Sequence, residues 1–351
     1  MQRGRPPAVE LGSIAICRRL VGRGQFGGQR LSNAHPCSVS VCQARRVSFD
    51  LIVCADWSKH PANRAAWVAA PATKEVRRLE PTPGEPWTVA RVLEHTTRLV
   101  GTAGSALVSF DAPIGVPDSY LAAARAEFGA SAAATFLDWL PLAAASCEFW
   151  DPVRSPADWS VRRPFFVVPK GKGSLDGFNG VAAAAGIELR RDVEFASQGK
   201  SVFAFGLPGQ VAPAAQALWR ELLKARNDFT SLVVWPFEGS LDVREQGGLV
   251  VAENYPRAAY GTALSAELPA KPRALSKTKQ PTRAAEVINL QTSLWLADSG
   301  VSLNDLPAAV ASEDDFDALM TVTALLRLTL AGRPLTHSTP DCVCEGGILG
   351  A

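Results

Sequence analysis

No run of about 18 apolar residues occurs in the 351-residue chain, although 47% of its residues are apolar, and this excludes an ordinary membrane-spanning helix. The seven cysteines lack the paired spacing of a zinc site. Cys342 and Cys344 form one C-x-C near the C-terminus, a soft-metal signal with no second pair, so the set predicts free thiols in a reducing, cytoplasmic protein. Residues 1–47 have no lysine and a single acid, Glu10, against eight arginines, so this leader carries +7 and the remainder 2 − 7 = −5. That mildly acidic body excludes coating of nucleic acid by bulk charge, and any such binding needs a local basic patch. The leader also lacks an apolar core with a cleavage site, which excludes a secretory signal. It reads as a disordered tail or an upstream start, with an organellar transit peptide or a nucleic-acid-binding arm as alternatives. The stretch PKGKGS at 169–174 lacks the Gly-Lys-Ser/Thr order of a phosphate loop.

What is present begins at FDLIVCADWSK, residues 49–59, an apolar run ending in Asp56. ALVSFDAP, residues 106–113, repeats the design, with Asp111 followed by a proline that ends the strand. Between them, Arg64–Ala70 and Glu75–Leu79 read as strands and Thr88–Val100 as a helix capped by Thr88. A three-stranded meander, a helix and a returning strand are the start of an RNase H-like sheet, in which the first and fourth strands are neighbours. The predicted fold is α/β: a mixed five-stranded RNase H-like sheet flanked by helices, forming one domain over 48–350. GLVVAENYP, residues 248–256, supplies the fifth core strand and ends at Glu253. The less regular stretch 118–245 reads as a large α/β insertion between the fourth and fifth strands. A helix is predicted over Ala284–Asp298, and a last helix over Glu313–Leu330 capped by Ser312.

Asp314 and Asp317 are three apart, which places both carboxylates on one side of that last helix. Singly, each acid has a plain structural use: Asp111 before Ala-Pro suits a turn, and the helical pair suits a helix N-terminus. Together with Asp56 and Asp111 they form an ordered acidic set. Two like charges about 4 Å apart repel by roughly 4 kcal/mol at an effective dielectric near 20, so such a set requires protons or cations. Hard oxygen-ligated ions, Mg2+ or Mn2+, suit it best. Lys271, Arg273, Lys277, Lys279 and Arg283 follow Glu253 with no acid after Glu267 among them. Lys277, Lys279 and Arg283 are the predicted holders of substrate phosphate.

The runs CADWS, SFDAPIGVP, SVFAFGLPGQV, VVWPFE, VAENYPRAA, EDDFDALMTVTALL and EGGILG resemble domain-of-unknown-function family 429, predicted nucleases of RNase H fold. The resemblance spans about residues 49–350. Its order of acids is also similar to that of RuvC-type resolvases, which implies metal-ion phosphodiester hydrolysis. The family's strand acids fall on Asp56 and Asp111, its Glu-x-Tyr-Pro acid on Glu253 and its helix acids on Asp314 and Asp317. Its terminal Glu-Gly falls on Glu345, with Gly347 where an aromatic is more typical. The expected protein is a nuclease acting on DNA or RNA, with Asp56, Asp111, Glu253, Asp314 and Asp317 catalytic. Asp56 bridges two divalent ions, Asp111 and Asp314 or Asp317 flank it, and Trp57 and Ser58 form a cleft wall. A sugar-kinase or actin-like phosphotransferase and a non-catalytic RNase H-like binding module are the alternatives.

Overall fold

A strand that is apolar on both faces requires a covering layer on each side, and the central strands of this protein have both. The computed structural model describes residues 49–131, 133–169, 171, 175–197, 199–206, 211–241, 247–336 and 345–350, all within the unit Arg45–Ala351. The first part of that unit runs β1 (Leu51–Asp56), β2 (Ala65–Ala70), β3 (Glu75–Leu79), α1 (Val89–Val100) and β4 (Ser105–Phe110). The middle holds α2 (Asp118–Glu127), α3 (Phe136–Ala144), β5 (Phe166–Val167), α4 (Asp176–Ala184), α5 (Asp192–Ser197), β6 (Ala204–Phe205), α6 (Ala212–Asp228) and β7 (Leu232–Val234). The last part contains β8 (Gly248–Asn254), α7 (Pro256–Leu264), α8 (Gln280–Gln291) and α9 (Leu294–Ser299). It closes with β9 (Ser302–Leu303), α10 (Leu306–Ala311), α11 (Glu313–Leu330) and β10 (Ile348–Leu349).

The main sheet is mixed and has eight strands, in the order β10-β8-β4-β1-β2-β3-β9, with β7 also paired to β8. The five expected strands are present as β3-β2-β1-β4-β8: an antiparallel meander joined to two parallel neighbours. The sheet is larger than expected because β7, β9 and β10 extend it. β9 and β10 have two residues each, too short for alternation to reveal. β7 and β10 pair with successive stretches of β8, at Leu249–Val251 and Glu253–Asn254. Within 118–245, β5 and β6 form their own parallel pair, while β7 rejoins the main sheet.

Strand alternation assigns the two faces. Val53, Ala55, Val108, Phe110 and Val251 point to the layer of α1, α6 and the aromatic middle segment. Ile52, Cys54, Leu107, Val250 and Ala252 point to α7 and α11. On α11, Leu319, Val322, Leu325 and Leu326 are fully buried, and each such burial contributes about 1.5–3 kcal/mol. The Ser312 hydroxyl accepts from Asp315 N and caps that helix, as Thr88 caps α1 through Arg91 N.

The single helix expected over 284–298 is two helices. Thr292 Oγ1 and Ser293 Oγ donate back to the Ile288 and Leu290 carbonyls, the local side-chain bonding by which these residues end helices. The C-terminal strand docks through a close backbone approach. A Cβ on Gly115 (φ +128°) would meet the Glu345 carbonyl oxygen at 2.3 Å, and one on Gly346 (φ +81°) would meet that of Ile114 at 2.1 Å. Only glycine fits at both positions. No described helix is long and apolar enough to cross a membrane.

Candidate functional site

Register brings the first two acids together. Ala55 pairs with Phe110 across parallel strands β1 and β4, so Asp56 and Asp111 stand level one step on. Parity aims both at the α11 face, because Asp56 follows Ile52 and Cys54, and Asp111 follows Leu107 and Ser109. In the second turn of α11, Asp317 completes a triad: one carboxylate oxygen from each of Asp56, Asp111 and Asp317 lies within 4.8 Å of the other two. Asp317 is fully buried, Asp56 nearly so and Asp111 half-buried. Burial pushes the Asp56 carboxyl well above its usual range, with a further push from Asp111 and an opposing pull from Lys277. Burial likewise raises Asp111 to about 7, against the Lys277 charge and with Glu253 and Asp314 adding to the rise. Three carboxylate oxygens brought this close, two of them on acids that resist ionisation, are a donor set suited to a hard divalent cation.

One cation of the chain already reaches the triad. Lys277 Nζ donates to Asp317 Oδ2, and the Tyr260 hydroxyl donates to Asp317 Oδ1. Of the three residues expected to hold substrate phosphate, only Lys279 is exposed. Arg283 is buried, and its guanidinium donates to the carbonyls of Lys277 (2.7 Å), Val310 (3.0 Å) and Ala311 (2.9 Å). Arg283 therefore clamps the Lys277 loop to the corner that precedes α11.

Glu253 lies elsewhere, and parity explains it. Glu253 pairs with Phe110 and follows Val251, so it faces the opposite side of the sheet from Asp56 and Asp111. The position on β8 level with Asp111 is Asn254, whose Nδ2 donates to Ser109 Oγ at 2.8 Å. Glu253 instead accepts two bonds from Arg191, both 2.8 Å, and one from Ile114 N at 2.7 Å. Arg191 is fully buried and also pairs with Glu194 at 3.0 Å. Burial raises the Glu194 carboxyl to about 7, opposed by the Arg191 charge. Glu345 belongs to the same assembly: its carboxylate accepts from Asp118 N and Asp192 N, and its carbonyl from Arg191. Glu253 and Glu345 hold the middle segment and the C-terminal strand to the sheet; neither belongs to the triad.

Asp314 is half-buried and outside the triad, though its charge raises both strand acids. Asp315, unremarked in the sequence, is buried; it accepts from Trp67 Nε1 at 3.0 Å and from Arg78 Nε at 2.6 Å. It fixes the start of α11 against β2 and β3. Trp57 is core rather than cleft wall: its ring meets Phe110 edge-on at 4.8 Å and lies 3.9 Å from the Arg64 guanidinium. Ser58 accepts from Arg64 through its carbonyl. A cleft of about 260 Å³ opens beside Asp111, with Pro113, Asn254, Tyr255 and Arg257 in its walls. The expectations for Cys342, Cys344 and the leader lie outside the described residues, as does most of PKGKGS.

Arg191, Asn254, Tyr260 and Asp315 carried no signal in the sequence. Asn254 and Tyr260 follow from strand parity and helix docking once β8 is placed; Arg191 and Asp315 depend on partners far away in the chain. Comparison of the chain with protein-family models, curated proteins and solved structures gives no match.

Proposed function

We propose that the protein is a metal-dependent phosphodiesterase acting on nucleic acid, built on an RNase H-like sheet and related to domain-of-unknown-function family 429. The observation that carries this reading is the convergence of Asp56, Asp111 and Asp317 from two adjacent parallel strands and a packed helix. The meander, helix and returning strand that precede it support the RNase H-like assignment. Asp56, Asp111 and Asp317 would hold Mg2+ or Mn2+, and Asp314 would add negative charge beside them. Such ions supply an activated water and stabilisation of the leaving oxygen. The chain's own contribution is placement. β1 and β4 fix two carboxylates in register and α11 brings the third, while a cleft opens beside Asp111, where a phosphodiester would enter. Lys279, exposed at the start of α8, would meet a flanking phosphate.

Calorimetric titration with Mg2+ and Mn2+, together with cleavage of single- and double-stranded DNA and RNA, tests the proposal. The parent is expected to bind ions and cleave, and Asp56→Asn is expected to lose both, with cleavage falling by at least about two orders of magnitude. An Asp56→Asn protein that cleaves as well as the parent sinks the reading.

A further inference from the structure

Asp317 has no exposure to solvent, and both of its oxygens are engaged, Oδ1 by the Tyr260 hydroxyl and Oδ2 by the Lys277 ammonium. A buried carboxylate needs a counter-charge, and here the chain supplies it from a loop residue 40 positions away. The ammonium is not loosely placed. Arg283 donates to the Lys277 carbonyl and, through its other nitrogens, to the carbonyls of Val310 and Ala311. The loop is thereby tied to the turn that leads into α11, the helix that carries Asp317. The Lys277 charge acts on Asp56, Asp111 and Asp314 as well, so it serves the whole cluster. Among the described residues, Asp56 and Asp111 have no ion-pair partner; burial raises both, and the Asp111 charge adds to the rise of Asp56.

We propose that Lys277 is a resident cation that takes the place of a second metal ion, so that the centre binds one divalent ion, held by Asp56, Asp111 and the remaining lone pairs of Asp317. This rests on the proposed function and replaces the two bridged ions expected from the sequence. Lys277 acts as a positioning residue. It neutralises Asp317, keeps that carboxylate aimed at the strand acids and limits how many ions the cluster accepts. A carboxylate offers about four lone-pair sites, so Asp317 can bond Tyr260 and Lys277 and still ligate one ion. A second ion at Oδ2 would have to displace the ammonium.

The test is the number of Mn2+ ions bound per full-length chain, measured by calorimetry and by paramagnetic resonance of free Mn2+, with no activity assay required. The parent is expected to bind one. Lys277→Met is expected to bind a second ion and to hold the first about tenfold more tightly, since a unit positive charge is removed from beside it. Lys277→Arg, which keeps the charge, should stay at one. Because Lys277→Met leaves a buried acid unpaired and can unfold, a second measurement uses the parent alone. Lys277 is 36% exposed and open to acylating reagents, and its modification is followed by mass spectrometry with exposed Lys279 as the internal reference. Saturating Mn2+ should leave Lys277 as protected as before. Two ions of similar affinity in the parent, or a Lys277 that becomes as reactive as Lys279 on saturation, overturns the proposal while sparing the metal centre. Absence of saturable binding overturns the metal centre itself and this inference with it.

Discussion

Replacing Arg191 by methionine removes the cation on which the far side of the sheet depends. Its guanidinium is fully buried; it pairs with Glu253 at 2.8 Å and with Glu194 at 3.0 Å, and it also donates to the Glu345 carbonyl at 3.1 Å. Methionine fills most of the volume, so cavity formation contributes little and the loss is electrostatic. Two buried carboxylates are left facing each other with only backbone N–H donors, and breaking a buried pair of this kind costs about 3–5 kcal/mol. That is a large share of a total stability of about 5–15 kcal/mol. The loss should depend on pH. Glu194 is held up to about 7 even with the Arg191 charge opposing it, and without the arginine it is expected to bind its proton more readily when folded. A folded-state pKa above the unfolded value stabilises at low pH and loses that contribution as pH rises through the folded value. The variant should therefore lose more stability at pH 8 than at pH 5.5, as read from urea unfolding followed by tryptophan fluorescence. Glu253→Gln should lose less than Arg191→Met, because the amide still accepts from Ile114 N. A loss under about 1 kcal/mol at pH 8, or one that grows as the pH falls, refutes the reasoning.

The same sign governs the acidic triad. Asp56 and Asp111 have folded pKa values above the unfolded carboxylate range, Asp111 at about 7, so the ion-free protein should lose stability as pH rises from about 4 through about 7. Saturating Mg2+ should erase that part of the slope; thermal melts in chelator and in Mg2+ that run parallel across this range count against an ion-binding triad. Gly261→Ala tests the placement of the lysine loop. A Cβ there would meet the Lys271 carbonyl oxygen at 1.9 Å, so the loop must move or α7 must shift, at about 1–3 kcal/mol. The expected result is a destabilised protein whose Lys277 acylates faster; unchanged reactivity would show that α7 gives way instead.

Part of this architecture was legible in the sequence. β1, β4 and β8 are long apolar runs with abrupt polar ends, the meander and α1 have ordinary periodicity, and the Ser312 cap marks the start of α11. Asp56, Asp111 and Asp317 could be proposed because each closes or opens such an element. The same apolarity concealed the parity of β8. With both faces of the strand covered, GLVVAEN has no alternation to show that Glu253 points away from Asp111 and that Asn254 stands beside it. β9 and β10 left no mark because two-residue strands exist only where the rest of the sheet offers an edge.

The sequence by itself determined the five core strands, the final helix and the order of the acids along them, since these follow from local propensity and hydrophobic period. Only the tertiary structure decided which acids meet and which cation each acid keeps. Glu253 found Arg191 at a separation of 62 residues, Asp317 found Lys277 at 40, and Asp315 found Arg78 at 237. Such pairings are set by which face of a strand or helix is turned toward which layer. A one-residue step reverses that outcome without changing the composition of the run.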